Sequence, residues 1–280
     1  MLRVRHRLGK VNAPPSSAQS SRYRWAFERR LRVGALAPCY PVSMDDFYGQ
    51  DLACVHAEAF EALAAAAAQT LLRFLGQAAP SRRVLDLGCG AGPVSRRLSE
   101  QGFSTWGLDL SPALIAVARQ RLPGAEFQCG SILDVRLPKA VALAAVGEVL
   151  NYATAHDPAA LSGVFRRVFE ALVPGGVFLF DLAGPGRVGT GLSFTEGPKW
   201  DVGVVATESG DGLLRKISTF REVDEGVWRR SYEEYRLRLW SAASAVKELG
   251  SCGFGVEELP GYTGAKMPAS LHVYLATKPS

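Results

Sequence analysis

Apolar positions along the chain follow two rhythms. From Asp51, the residues Leu52, Val55, Ala59, Leu63, Ala67, Leu71 and Phe74 recur at three- and four-residue steps, which predicts a helix stopped at Gly76. Short apolar runs then alternate with helical stretches. The expected order is strand Arg83–Leu87, helix from Val94 to about Gln101, strand Ser104–Asp109, and a helix opened by Ser111-Pro112. Strand Glu126–Cys129, strand Val141–Val146, helix Pro158–Leu172 and strand Val177–Leu182 continue the series. Strands alternating with helices of this length imply right-handed crossovers and a parallel sheet covered on both faces.

After Asp181 the texture changes. Gly184 to Gly197 reads as loop, and Trp200–Glu208, Leu213–Val223 and Val227–Leu239 are β-rich, separated by Gly210-Asp211-Gly212 and Asp224-Glu225-Gly226. These three read as an antiparallel insert spanning residues 184–240. Helix Ser241–Leu249 and strands Gly255–Leu259 and Leu271–Thr277 close the chain.

Composition narrows the class. At 280 residues, 48% hydrophobic and 21% charged, the chain is an ordinary globular protein, and no apolar run is long enough for a membrane span. The net charge of +5 misleads, because residues 1–43 hold nine basic side chains against Glu28 alone, leaving 44–280 at −3. A polyanion-binding surface on that body is not expected, so no nucleic-acid partner is expected. The basic segment 1–43, with Pro14-Pro15 and a serine cluster, reads as a disordered arm, a mitochondrial-type presequence or an extension upstream of a start at Met44. It is given no role in chemistry, and residues 44–280 are read as the functional domain. Five scattered cysteines without a C-x-x-C pair suggest neither a disulfide framework nor a metal site, and point to a reducing, cytoplasmic compartment.

The chemistry starts at Asp86-x-Gly88-x-Gly90-x-Gly92, a glycine turn between the first strand and its helix. Such turns bring a ligand close to backbone and helix N-terminus. A dinucleotide fingerprint needs a third glycine where Pro93 stands, and Asp86 would repel a pyrophosphate while favouring a cationic ligand. Asp109 follows Gly88 by 21 residues, the spacing of a carboxylate that accepts ribose hydroxyls. S-adenosylmethionine, a sulfonium nucleoside without phosphate, fits both acids; a nicotinamide oxidoreductase fits poorly.

Three runs in order resemble the class I S-adenosylmethionine-dependent methyltransferases: Val84-Leu85-Asp86-Leu87-Gly88-Cys89-Gly90-Ala91-Gly92, Gly107-Leu108-Asp109-Leu110-Ser111-Pro112, and Leu172-Val173-Pro174-Gly175-Gly176. The closing His272–Pro279 is similar to the family's last strand. The resemblance implies a doubly wound, mostly parallel seven-stranded Rossmann-like α/β sheet, with S-adenosyl-L-methionine held by Asp86, Gly88, Cys89, Gly90, Gly92, Asp109, Leu110, Ser131, Ile132 and Glu148. Two departures stand out: Gly130-Ser131-Ile132 replaces the Gly-Asp common after the third strand, and Lys139-Ala140 replaces an acid. The activity implied is methyl transfer to N or O of a small molecule. The alternatives are a cofactor-binding protein without transfer, or a nucleic-acid methyltransferase, for which no Asn-Pro-Pro-Tyr-like run is present.

Ligands of open α/β sheets bind beyond the carboxyl ends of the strands. Glu148 and His56 are therefore the candidate catalytic groups, Glu148 against a bland reading as a solvated loop acid and His56 against one as an edge-of-core residue. Tyr48, Asn151, Tyr152 and Arg236 are the candidate acceptor contacts. His156 and His272 read as structural or exposed. Trp228, Arg230, Tyr232, Arg236, Arg238 and Trp240 share one alternating face. That face is either a solvated arginine-bearing surface or, turned inward, a seat for a carboxylate-bearing acceptor. Oligomeric state stays open.

Overall fold

The computed structural model describes residues 47–59, 61–75, 82–188 and 190–280. The readings of residues 1–43 lie outside these. Seven strands form one sheet in the order β10-β11-β5-β4-β1-β2-β3: β1 (Arg83–Leu87), β2 (Ser104–Asp109), β3 (Glu126–Cys129), β4 (Ala140–Ala145), β5 (Leu172–Ala183), β10 (Gly255–Leu259) and β11 (Leu271–Thr277). Strands β1 to β5 are mutually parallel, and β11 lies antiparallel between β5 and β10. Strand order reverses between β1 and β4, so the crevice beyond their carboxyl ends is the expected ligand position.

Both faces of the sheet are buried, which is why its central strands are nearly continuous apolar runs. On one face Leu85, Leu143, Phe178 and Phe180 pack with α6 (Ala160–Ala171) and α7 (Ala242–Ser251). On the other, Val84, Leu179 and Leu275 meet Leu71 of α2 (Glu61–Phe74) and Leu98 of α3 (Pro93–Ser99). Ser111 caps α4 (Pro112–Arg121), its hydroxyl accepting from Leu114 N at 3.1 Å. No helix of the described residues is long and apolar enough to cross a membrane.

The stretch expected to be helical from Asp51 to Phe74 is helical on both sides of residue 60, as α1 (Gln50–Ala59) and α2. The two bury against different partners: Leu52, Val55 and Ala59 of α1 pack on the insert, whereas Ala64, Ala67, Ala68 and Leu71 of α2 pack on the sheet. A short helix, α5 (Val149–Ala153), follows β4.

The insert has four strands, in the order β6-β7-β8-β9: β6 (Thr190–Glu196), β7 (Trp200–Ser209), β8 (Gly212–Asp224) and β9 (Val227–Arg238). Gly210 (φ 59) and Gly226 (φ 70) make the two anticipated hairpin turns. Strand β6 falls in the stretch read as loop. It is an edge strand with Leu192 half exposed, held by its ladder to β7, so it shows little of the apolar alternation that marks a buried strand. Along β9 the buried face carries Ser231, Glu233, Tyr235 and Leu237. On the arginine-bearing face Arg236 is exposed, while Trp228, Arg230, Tyr232 and Arg238 are half-buried.

Candidate active site

A cavity of about 730 Å³ opens beyond the carboxyl ends of β1, β2 and β4 and extends under the insert. That volume lies within the roughly 300–1,000 Å³ usual for small-molecule sites. Its floor is the glycine turn. Gly88 and Cys89 donate to Leu108 O at 2.7 and 3.0 Å, which ties the turn to β2. Gly88 (φ 68) packs so closely under Val149 that a Cβ there would stand 2.3 Å from a valine methyl carbon. Gly90 (φ 54) lines the cavity under the His56 ring, which such a Cβ would touch at 3.7 Å.

Asp109, at the tip of β2, is 8% exposed and lines the cavity. Gly90 N donates to its Oδ2 and Ser111 N to its Oδ1, both at 2.8 Å. Burial raises its pKa against the pull of these two donors. The carboxylate is thus fixed in place with lone pairs left for a diol. Leu110, Gly130, Ser131 and Ile132 continue the wall, Ser131 Oγ accepting from Leu133 N at 3.0 Å. A fixed carboxylate for ribose, a positive-φ glycine in the lining and an apolar slot beside Leu110 and Ile132 fit an adenosine-bearing cation.

Asp86 acts differently from expectation. It is 2% exposed and does not line the cavity; its Oδ2 accepts from Ser95 N at 3.0 Å and Ser95 Oγ at 2.7 Å. Burial, opposed by the Ser95 donors, raises its pKa to about 6. The carboxylate occupies the N-terminus of α3, where Pro93 already lacks an N–H, so donors that a pyrophosphate would need are spent. Asp86 therefore faces the helix end, behind the cavity wall. Cys89 and Gly92 also lie behind the lining: the thiol is buried, and Gly92 caps α3 at φ 78.

Glu148 is neither a solvated acid nor a cavity-facing base. It sits at φ 64 before α5, 4% exposed and off the cavity lining, with Arg187 Nε at 2.7 Å on Oε1 and Arg215 Nη2 at 2.6 Å on Oε2. Burial alone would raise its pKa, but the Arg215 and Arg187 charges outweigh it and hold the carboxyl below its usual range. Asp181 grips the same turn from β5, accepting from Gly147 N (2.8 Å), Glu148 N (2.5 Å) and Tyr262 OH (2.7 Å). Asn151 is likewise structural. Fully buried and off the lining, it donates to Ala183 O (2.9 Å) and Arg238 O (2.5 Å) and accepts from Ala183 N (2.9 Å), tying α5 to the strand that enters the insert and to the strand that leaves it.

His56, Tyr48, Tyr152 and Arg236 do line the cavity. Burial lowers the His56 pKa to about 4, so the imidazole is neutral at physiological pH. Tyr48 (φ 50) accepts at its carbonyl from Ser111 Oγ at 2.8 Å, and its N–H donates to Tyr235 OH at 2.8 Å. Arg215 Nη1 donates to Tyr152 OH at 2.9 Å. Phe47, Glu233, Glu234 and Tyr235 were not singled out from sequence as site residues and line the cavity, as does His156, which is exposed as expected. Tyr235 OH hydrogen-bonds to Glu233, which also accepts from Gly49 N at 3.2 Å. His272 stays outside, paired with Glu258 at 2.7 Å. The local signal available for the missed residues was the apolar–polar alternation of β9, which puts Glu233 and Tyr235 on the inner face.

Comparison with known proteins agrees with this geometry. A family described as a methyltransferase domain matches residues 84–176. An uncharacterized methyltransferase of Synechocystis sp. is 30% identical over 152 residues, covering 49% of this chain and 70% of that protein. The malonyl-[acyl-carrier protein] O-methyltransferase of Serratia marcescens is 34% identical over 114 residues, 41% of this chain and 43% of that protein, so the match spans less than half of its length. Among solved structures, a sugar N-methyltransferase from Streptoalloteichus sp. superposes with a TM-score of 0.68 at 21% identity, covering 89% of this chain and 98% of that one, a likeness of fold. Glycine turn, ribose-type carboxylate, strand order and family match coincide, and the chain belongs to the class I S-adenosylmethionine-dependent methyltransferases.

Proposed function

We propose that the protein moves the methyl group of S-adenosylmethionine to a nitrogen or oxygen of a small molecule seated between the Rossmann-like sheet and the antiparallel insert, in the cytoplasm. The observation that carries this reading is one continuous cavity whose lining includes Gly88, Gly90, Asp109, Ser131 and Ile132, with His56 over the glycine turn, together with Tyr48, Tyr152 and Tyr235. That continuity supports a cofactor and an acceptor meeting in one space. O-transfer in the Serratia protein's name and N-transfer in the Streptoalloteichus protein's name leave both acceptor atoms open. The acidic balance of residues 44–280 supports a small acceptor over a nucleic acid. The unpaired cysteines Cys54, Cys89, Cys129 and Cys252 support a reducing compartment.

The cofactor supplies an already activated methyl group on a sulfonium. The chain's own residues hold, align and dry the site. Asp109 receives the ribose hydroxyls, and Gly88 and Gly90 let the ligand approach the backbone. Leu110, Ser131 and Ile132 flank the base. Tyr48 and His56 roof the glycine turn, and Tyr152 and Tyr235 wall the acceptor. Alignment of two reactants in such a site contributes up to about 7–11 kcal/mol of barrier lowering. Neither Glu148, clamped by two guanidiniums, nor His56, with its depressed pKa, is equipped to take a proton in the step. Positioning is the chain's main contribution.

Incubation of the purified full chain with isotopically labelled cofactor and metabolite extracts, with mass spectrometry of products, tests the reading. Labelled product together with S-adenosylhomocysteine supports it. Tight cofactor binding with no turnover across extracts would favour a binding protein without transfer.

A further inference from the structure

We infer that the acceptor is an uncharged molecule, held by phenol hydroxyls and aromatic faces, and that this wall does not seat a carboxylate or a phosphate. The inference rests on the transfer reading above and narrows its substrate class.

What carries it is how charge is spent around the acceptor end. Phe47, Tyr48, Tyr152 and Tyr235 line the cavity as one cluster, with ring centroids 4.9 Å apart for Phe47–Tyr235, 5.4 Å for the stacked Tyr48–Tyr235 pair and 5.9 Å for Tyr152–Tyr235. The guanidiniums behind this wall, none of which lines the cavity, already have internal partners. Arg215 lies behind Tyr152, bonded to its hydroxyl and to Glu148, which Arg187 also holds. Arg221 and Arg229 close on Asp51 at 2.7 and 2.5 Å, and Arg238 pairs with Asp211. Arg236, the one arginine among the described residues that lines the cavity, stands on the exposed face of β9, where its charge acts on Glu234, and Glu233 and Glu234 bring two carboxylates to the same lining. His56 adds a neutral imidazole. An anion pressed against these rings would give up hydration without gaining a fork of N–H donors, whereas an amide, hydroxyl or neutral amine loses less hydration, gains ring surface and meets the lone pairs that the already bonded Tyr152 and Tyr235 hydroxyls retain.

The test uses the full chain loaded with S-adenosylhomocysteine, whose binding is first established by calorimetry. It is titrated with benzamide and with benzoate, two flat molecules of nearly equal size, the second ionised at about pH 7.5. Ligand-observed NMR reads both affinities. Benzamide should bind about tenfold or more tighter than benzoate, since only the anion leaves an uncompensated charge. In Glu148→Gln the two guanidiniums behind Tyr152 lose their carboxylate, and the benzamide preference should shrink by about fivefold. Equal or stronger benzoate binding in the unaltered chain overturns the inference, as does failure of benzamide to bind at all. Failure to bind S-adenosylhomocysteine in the first step sinks the transfer reading, a result distinct from an inverted preference on the loaded protein.

Discussion

Asp109→Ala isolates the cofactor end of the cavity. The Asp109 carboxylate is held by Gly90 N–H and Ser111 N–H at 2.8 Å each, and its remaining lone pairs face the cavity. Hydrogen bonds to a charged group contribute about 1.5–3 kcal/mol each, so losing a ribose diol contact should cost about 2–3 kcal/mol, or roughly 30- to 150-fold in Kd. Alanine also strands the two N–H donors, so the variant will unfold at lower temperature, and calorimetry belongs well below its Tm. Asp109→Asn keeps one acceptor oxygen and should lose less. The pH dependence separates the ribose role from loop support. Burial raises the Asp109 pKa, and only the ionised form accepts from both hydroxyls. Affinity for S-adenosylhomocysteine should therefore fall as pH drops toward that raised pKa, starting above the ordinary aspartate range, and the fall should be flattened in the Asn variant. An unchanged Kd in Asp109→Ala, or the same acid slope in Asp109→Asn, would refute the ribose assignment.

Three further outcomes are expected. His56 should titrate near 4 by NMR, so stability falls with pH only between its unfolded value near 6.5 and about 4, and no inflection near 6.5 in a rate profile should vanish in His56→Phe. Asp86, with a folded pKa near 6 against 3.8 unfolded, contributes most stability below 3.8 and loses it as pH rises through about 6, a swing of about 3 kcal/mol at most. Asp86→Asn should flatten that part of the stability–pH curve, read by urea unfolding; an unaltered curve would contradict the burial argument. Asn151→Ala should cost about 2–4 kcal/mol of stability through three lost hydrogen bonds while leaving S-adenosylhomocysteine affinity within about twofold.

What the sequence disclosed was local. The strand–glycine–helix unit at 83–99, the Ser111-Pro112 cap and the glycine hairpin turns each depend on residues within a few positions of one another, and each is present. Residues that entered the site through that logic, Gly88, Gly90, Asp109 and Ile132, do line the cavity. Of the expected site residues that do not line it, Asp86, Cys89 and Gly92 belong to that local unit but turn behind the cavity wall, whereas Glu148 and Asn151 are held by partners distant in the chain. Glu148 meets Arg215, Asn151 meets Arg238 and Asp51 meets Arg229, and no spacing rule links such positions. The aromatic wall draws Phe47, Tyr152 and Tyr235 from three segments for the same reason.

Those distant pairs also change what the insert's arginines mean. Counted along β8 and β9, they suggest a basic cup for an acidic acceptor. In space, Arg215, Arg221 and Arg229 are the inward ends of clamps on Glu148 and Asp51, carboxylates that are 4% and 5% exposed. A buried ion pair adds little net stability over an apolar substitute, yet removing one partner leaves a charge without compensation and costs about 3–5 kcal/mol. Such pairs therefore select one docking of the insert against α1 and α5, the two helices that supply His56 and Tyr152 to the cavity. A positional shift of the insert would break both clamps at once and move Tyr235 away from Tyr48. On this argument Arg215, Arg221 and Arg229 act on the cavity indirectly, through the shape of its wall, whereas Arg236 lines it directly beside Glu234 and the tyrosines.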